Sequence, residues 1–309
     1  MTDNFWNNPI PTPLQLIQDS VLEPYGVQLF LKRDDLIHPE IAGNKFRKLK
    51  YNLINARQLG YSKLITFGGA FSNHIAATAA AGRLLGFQTV GIIRGDELTE
   101  TSNQTLKLAA DNGMKLIFVS RTDYQNKELL AERLATDAYI LPEGGTNSLA
   151  VEGVAECMTE IVAQLGCQPN FVATAIGSGG TFAGLCAAAN QTTKTLGFTV
   201  LKNGQYLLPS INQLIEEKID FKNTNYEIFW DYHHGGYGKT SASLLKFMEE
   251  FEARNGILLE AIYTAKMLFG LYELISRRDT FIPTDKIVAI HTGGLQGRST
   301  SINKPVKNP

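Results

Sequence analysis

In the stretch Gly43-Asn44-Lys45-Phe46-Arg47-Lys48-Leu49, the amine of Lys45 is the group with the clearest chemical potential. Asn44 is a good helix N-cap, and Phe46, Leu49 and Leu53 recur on one face, so Lys45 to about Ala56 reads as a helix. Lys45 then stands at the helix's positive end, beside Arg47 and Lys48. Such a like-charge neighbourhood favours the neutral amine, the form that attacks a carbonyl to make a Schiff base. The plainer alternative is a solvated basic first turn, although basic residues ordinarily gather at a helix's last turn.

A second feature is Gly177-Ser178-Gly179-Gly180-Thr181, between a strand and a helix beginning near Phe182. Glycines without Cβ atoms let successive N–H groups converge on an anion, and the helix adds its positive end. A P-loop would need Gly-Lys-Ser/Thr after a four-residue gap, and a dinucleotide fingerprint would need glycine where Phe182 stands. The turn therefore reads as a phosphate cradle of neither common nucleotide type, with a simple tight turn as the alternative. A reactive lysine and a separate phosphate cup together suggest pyridoxal phosphate. Two further glycine turns, Gly68-Gly69-Ala70-Phe71-Ser72-Asn73-His74 and His291-Thr292-Gly293-Gly294, also follow strands. Ligands of open parallel sheets sit beyond the strands' carboxyl ends.

These turns need a scaffold of alternating elements. Strands are expected at Gln28–Arg33, Lys63–Phe67, Thr89–Ile93, Lys115–Val119 and Ala138–Leu141, after an irregular entry at Pro9–Pro13. Helices are expected at Ile75–Leu85, Gln104–Asn112 and Asn126–Ala135. A second run follows the break Pro142-Glu143-Gly144-Gly145-Thr146-Asn147: helix Val151–Leu165, strand Phe171–Ile176, an extended Phe198–Leu208 and helix Ile211–Lys218. It closes with strand Tyr226–Trp230, helices Ser241–Asn255 and Ala265–Ser276, and strand Ile287–Ile290. Strands separated by helices of this length mean βαβ units and a parallel sheet, here in two α/β lobes with a cleft between them.

At 309 residues the chain can bury a large core. A net charge of -1 without long single-sign runs points to neither nucleic acid nor an anionic membrane. No apolar stretch reaches bilayer length, and Met1–Trp6 lacks a basic and an apolar signal region. Cys157, Cys167 and Cys186 lack metal-ligand spacing and read as free thiols in a reducing, cytoplasmic setting.

In this order the motifs resemble the tryptophan-synthase-β-like, fold type II pyridoxal-phosphate enzymes. Within them the chain is most similar to the 1-aminocyclopropane-1-carboxylate deaminase and D-cysteine desulfhydrase family. The resemblance runs from Pro11-Thr12-Pro13-Leu14 to Gly297 and also takes in Lys32-Arg33-Asp34-Asp35 and Gly236-Tyr237-Gly238. It implies two open, twisted, mostly parallel sheet domains: a larger cofactor-binding one (1–47 and 153–309) and a smaller one (48–152). It also implies pyridoxal 5'-phosphate, a small amino-acid substrate, no metal and a homodimer.

Position by position, the resemblance makes Lys45 the cofactor-bearing amine and mover of the Cα proton. Asn73 would lie against the ring and bond its 3-hydroxyl, with Ser72 on the other face near the substrate carboxylate or Cα. Gly177, Ser178, Gly179, Gly180 and Thr181 would hold the phosphate. Tyr237 and Tyr263 would flank the substrate and assist proton transfer. Read without the resemblance, one of Ser72 and Asn73 could be an N-cap, and Tyr263 could be a core residue. His233 and His234 read as an exposed loop, and His74, His291 and Cys186 as structural.

Two positions bear on the reaction. Members acting on the cyclopropane generally carry glutamate after the second tyrosine and leucine after the histidine of the last glycine turn. This chain has Thr264 and Thr292. That is the pattern of the desulfhydrase branch, and a neutral hydroxyl near the pyridine nitrogen leaves the ring a weaker electron sink. β-Elimination from D-cysteine, giving pyruvate, ammonia and sulfide, is the expected reaction. Deamination of the cyclopropane to 2-oxobutyrate and ammonia is an alternative, and cofactor binding without turnover is another. Ala265-Lys266, where the family usually has glycine-lysine, and the stretch from Phe198 to Leu207 differ from the family pattern.

Overall fold

A computed structural model describes residues 5–6, 11–41, 43–134, 137–217 and 225–298. Pro9, Ile10, Ala135 and Lys218, which belonged to expected elements, lie outside these ranges. In chain order the strands are β1 (Leu14–Leu16), β2 (Gln28–Lys32), β3 (Lys63–Gly69), β4 (Gln88–Arg94), β5 (Lys115–Val119) and β6 (Tyr139–Leu141). They continue with β7 (Phe171–Ile176), β8 (Lys194–Thr199), β9 (Tyr226–Phe229) and β10 (Lys286–Ile290). Two sheets result, ordered β1-β2-β10-β7-β8-β9 and β5-β4-β3-β6. All pairings are parallel except β1 with β2. The central strands read as continuous apolar runs because helices cover both faces of a parallel sheet.

The helices are α1 (Asn44–Gln58), α2 (Asn73–Leu85), α3 (Gln104–Asp111), α4 (Lys127–Leu134) and α5 (Ser148–Leu165). They are followed by α6 (Gly180–Ala188), α7 (Leu208–Glu216), α8 (Ala242–Asn255) and α9 (Thr264–Arg277). Four begin where a cap can form. Ser72, Asn103, Asn147 and Ser241 each accept a hydrogen bond from the backbone N–H three residues on.

Phe46, Leu49 and Leu53 of α1 are buried as their spacing predicts, packed with Trp6, Ile37, Leu64 and Leu141. Arg47 points elsewhere, into a buried ionic cluster. Its Nε and Nη2 donate to both oxygens of Asp34 at 2.8 Å, and its Nη1 donates to Glu160 Oε1 at 2.7 Å. The Lys32 ammonium pairs with Glu160 Oε2 at 2.7 Å, and Thr12 Oγ1 donates to Asp34. Two cations and two carboxylates balance, which is what permits burial. The cluster fastens β2, α1 and α5 beneath the site.

Three expectations are corrected. The N-cap position of α1 is Gly43, and Asn44 is already helical, its side chain turned to Thr181 and Lys45. The extended segment begins earlier, at Lys194, and ends at Thr199; Gly204–Leu207 then forms a one-turn 3-10 helix. Strand β1, an antiparallel edge of the larger sheet, was not foreseen behind the prolines.

Candidate active site

The three glycine-rich stretches all stand at the carboxyl ends of parallel strands, but the first is corrected: Gly68 and Gly69 are the last paired residues of β3, and only Ala70–Ser72 form the turn into α2. The other two are 177–181 after β7 and 291–294 after β10. Gly43 joins α1 to the last of these. Its φ of 65° is left-handed, and a Cβ there would collide with the Thr292 carbonyl, which accepts a hydrogen bond from Asn44 N at 3.3 Å. Glycine is thus required for α1 to start against that turn.

From this start, Asn44 Nδ2 donates to Thr181 Oγ1 at 2.7 Å, while Asn44 Oδ1 accepts from Lys45 Nζ at 2.9 Å. The structure therefore brings Lys45 beside the end of the proposed phosphate cup. Burial lowers the Lys45 pKa to about 8, opposed by the charge of Glu260. The like-charge reasoning is corrected: Arg47 is neutralised by Asp34 and Glu160, and burial is the dominant cause.

The cup is deeper than the glycines alone. The ammonium of Lys48, one helical turn from Lys45, donates to Thr146 Oγ1 at 2.7 Å and reaches Ser178 Oγ at 3.4 Å. The Thr146 and Ser178 hydroxyls are 2.6 Å apart. A Cβ on Gly180 would stand 3.0 Å from Lys48 Nζ, and one on Gly144 2.5 Å from Ser178 Oγ. Burial, and then the Lys45 charge, hold the Lys48 pKa well below its ordinary value. A buried cation, three hydroxyls and the N-terminus of α6 form a donor set suited to a dianionic phosphate. The residues present fit that group.

Ser72 is the N-cap of α2, its Oγ accepting from Ile75 N at 3.3 Å. Asn73 opens the helix, and its Oδ1 accepts from Gln296 Nε2 at 2.8 Å. The Tyr237 hydroxyl donates to the Phe71 carbonyl at 3.2 Å, just before these two residues. Tyr263 packs against Tyr237, with ring centroids 6.2 Å apart, and its ring edge approaches the Cβ direction of Gly177. It stands immediately before α9 and also packs against the core cluster that includes Ala265 and Leu268. Burial pushes the Tyr237 phenol to about 12 and the Tyr263 phenol well above its ordinary value. Thr264 Oγ1 and Thr292 Oγ1, from opposite ends of the last two elements, meet at 3.3 Å.

The remaining histidines divide. His74 Nε2 bonds Thr66 Oγ1 at 2.8 Å, and burial, then Lys48 and Lys45, keep the ring neutral. His291 Nε2 bonds the Leu258 carbonyl at 2.8 Å. His74 Nδ1 is buried without a hydrogen-bond partner, while His291 Nδ1 accepts from Gly293 N at 3.2 Å. His234 is not exposed as expected: its ring meets Phe269 edge-on at 4.6 Å, and Nδ1 bonds Ser241 Oγ at 2.7 Å. Cys157 and Cys186 are buried, with thiols pushed up to about 12.

Comparison with known proteins bears on what such a site holds. The family model described as pyridoxal-phosphate dependent enzyme matches residues 6–293. The chain belongs to that family. It is 32% identical to a Pyrococcus abyssi protein provisionally named a 1-aminocyclopropane-1-carboxylate deaminase, over 94% of this chain and 91% of that one. It is 29% identical to the Arabidopsis thaliana mitochondrial bifunctional D-cysteine desulfhydrase/1-aminocyclopropane-1-carboxylate deaminase, over 93% and 77% of the two chains. A crystal structure of a homologue of the cyclopropane-carboxylate deaminase superposes with a TM-score of 0.83 at 29% identity, covering 94% and 91%. A hydrogen sulfide-producing enzyme from Fusobacterium nucleatum shares the fold alone, with a TM-score of 0.69 at 15% identity, covering 96% of this chain and 98% of that one. The fold is the type II pyridoxal-phosphate architecture, and the cofactor is pyridoxal phosphate.

Sequence reasoning missed several residues of this enzyme's site. Lys48 was read only as a neighbour of Lys45, although an i, i+3 pair shares a helix face and could have signalled it. Thr146 lies in the glycine-rich break at 142–147, which was read only as the start of the second run and a piece of the resemblance. Glu260 was also missed; its buried carboxylate accepts from the N–H groups of Ile262, Tyr263 and Thr264.

Proposed function

We propose that this enzyme is a lyase or deaminase of small amino acids whose principal reaction is β-elimination from D-cysteine, giving pyruvate, ammonia and sulfide. The observation that carries the choice is the contact between Thr264 and Thr292, two neutral hydroxyls where cyclopropane-opening relatives carry glutamate and leucine. Bound pyridoxal phosphate supplies an electron sink conjugated to the substrate Cα. A weak sink suffices to remove an acidic Cα proton and expel a sulfur leaving group. Ring opening of a substrate that has no Cα–H needs more.

Each residue then has a task. Lys45 carries the cofactor and moves the Cα proton, and its lowered pKa supplies neutral amine near physiological pH. Lys48, Thr146, Gly177, Ser178, Gly179, Gly180 and Thr181 hold the phosphate. Asn73 bonds the ring's 3-hydroxyl. Ser72 uses a lone pair of its hydroxyl in capping, which leaves the O–H free to donate to the substrate carboxylate. Tyr237 and Tyr263 remain protonated through the neutral range, and they would flank the substrate and assist proton transfer.

The bifunctional name of the plant relative supports 1-aminocyclopropane-1-carboxylate as a second substrate. On the family resemblance we also infer a homodimer and a division into a larger lobe, 1–47 and 153–309, and a smaller one, 48–152. The three free thiols support a reducing, cytoplasmic location.

The test is a panel of D- and L-amino acids and the cyclopropane, read by keto-acid formation. Pyruvate and sulfide from D-cysteine are expected. Turnover of the cyclopropane to 2-oxobutyrate at a matching rate would overturn the choice, and no product from any substrate would leave a cofactor-binding protein without turnover.

A further inference from the structure

Lys266 is fully buried on α9, and nothing in the chemistry above uses it. Its Nζ donates to the carbonyls of His233 at 2.8 Å and Gly236 at 2.9 Å. Both belong to the turn that leads directly into Tyr237. That turn has an uncommon shape, with positive φ at three successive residues: 48° at His234, 92° at Gly235 and 112° at Gly236. Glycine takes such angles freely, whereas the left-handed angle at His234 is costly and persists where its surroundings fix it. Burying an amine is itself costly unless hydrogen bonds offset the desolvation.

The far end of the turn is equally committed. The Tyr237 hydroxyl crosses to the Phe71 carbonyl, and Phe71 directly precedes Ser72 and Asn73. One buried side chain thus connects α9, the 233–236 turn, Tyr237 and the loop after β3. We propose that Lys266 is a positioning residue that clamps the 233–236 turn so that the Tyr237 phenol is held against the Phe71 carbonyl. A neutral amine still has two N–H donors for two carbonyls, so the clamp operates on both sides of the amine's titration. The reactive role of Tyr237 is taken from the function proposed above; the clamp itself is a statement about the chain's order.

The test uses the holoenzyme and Lys266→Met, which keeps the apolar stem and removes both donors. Amide hydrogen exchange in residues 232–240 should quicken about tenfold or more, while β7 and the middle of α9 keep their protection. With D-cysteine, kcat should fall by about tenfold with KM nearly unchanged, and Lys266→Arg should recover part of the loss. In a Tyr237→Phe background, Lys266→Met should cost little more, because the two act through one phenol. Unchanged exchange in 232–240, or losses that multiply in the double variant, would overturn the clamp. If Lys266→Met does not fold, Lys266→Leu, which also removes both donors and has a smaller apolar side chain, gives the same readings, and unchanged exchange there refutes it too. The exchange measurement needs no turnover, so it separates failure of the clamp from failure of the proposed reaction.

Discussion

Lys48→Met tests the phosphate cup without touching the proposed reactive amine. The substitution swaps a buried ammonium, bonded to Thr146 Oγ1 at 2.7 Å, for an apolar side chain of similar length. In the cofactor-free protein burial holds that group's pKa well below the ordinary lysine value, which favours the neutral amine. A phosphate in the cup would restore its charge and receive a charge-assisted hydrogen bond of about 1.5–3 kcal/mol. Losing it should weaken pyridoxal phosphate binding by about 10- to 100-fold. Pyridoxal, which has the aldehyde and no phosphate, should bind wild type and variant equally. Both ligands can be titrated by absorbance against wild type and variant at one pH. Removing a desolvated amine should also leave the cofactor-free protein as stable as before, or more so. Equal pyridoxal phosphate affinities, or an equal loss with pyridoxal, would show that Lys48 does not meet the phosphate.

Other perturbations follow from the same geometry. Gly43→Ala puts a methyl group into the Thr292 carbonyl at a left-handed position, and should abolish cofactor attachment and lower the unfolding midpoint in urea. Arg47→Met leaves Asp34 and Glu160 without their shared partner and should cost about 3–5 kcal/mol in chemical denaturation. The folded pKa values of Lys45 and Lys266, about 8, lie below the ordinary lysine value of 10.5, so the unfolded chain binds more protons between the two. Stability of the cofactor-free protein should therefore rise from about pH 8 to about pH 10, and less steeply in Lys266→Met. Above pH 10 the buried phenols Tyr237 and Tyr263 reverse the trend, since their folded values lie above ordinary tyrosine. Urea midpoints across pH 7–11 would check both limbs, and a decline between 8 and 10 would refute the first.

What could be read from the sequence was what backbone chemistry dictates. Glycine turns after apolar strands must lie at strand ends, so the stretches at 177–181 and 291–294 were located before any contact was known, and that at 68–74 was placed at the right strand end with its first two glycines still in β3. Thr264 and Thr292 were paired only by resemblance, and they do meet. Asn44 shows the limit. The side-chain geometry that makes asparagine a good cap also makes it a good bridge, and here the bridge to Thr181 and Lys45 won because Gly43 alone fits against Thr292. Arg47 and Lys48 look alike in sequence, yet one is neutralised by carboxylates brought from β2's end and α5, while the other faces the cup. Which partner each meets is set by tertiary packing across 13 to 130 residues of chain, and no local pattern carries that information.

The central claim is that one particular amine carries the cofactor, and among the described residues three lysines have lowered pKa values: Lys45, Lys48 and Lys266. Borohydride reduction of the pyridoxal-phosphate-loaded protein, followed by peptide mass mapping, distinguishes them directly. A phosphopyridoxyl group on the peptide bearing Lys45 and on neither other lysine is predicted; the label on Lys48 or Lys266, or none at all, would contradict the account.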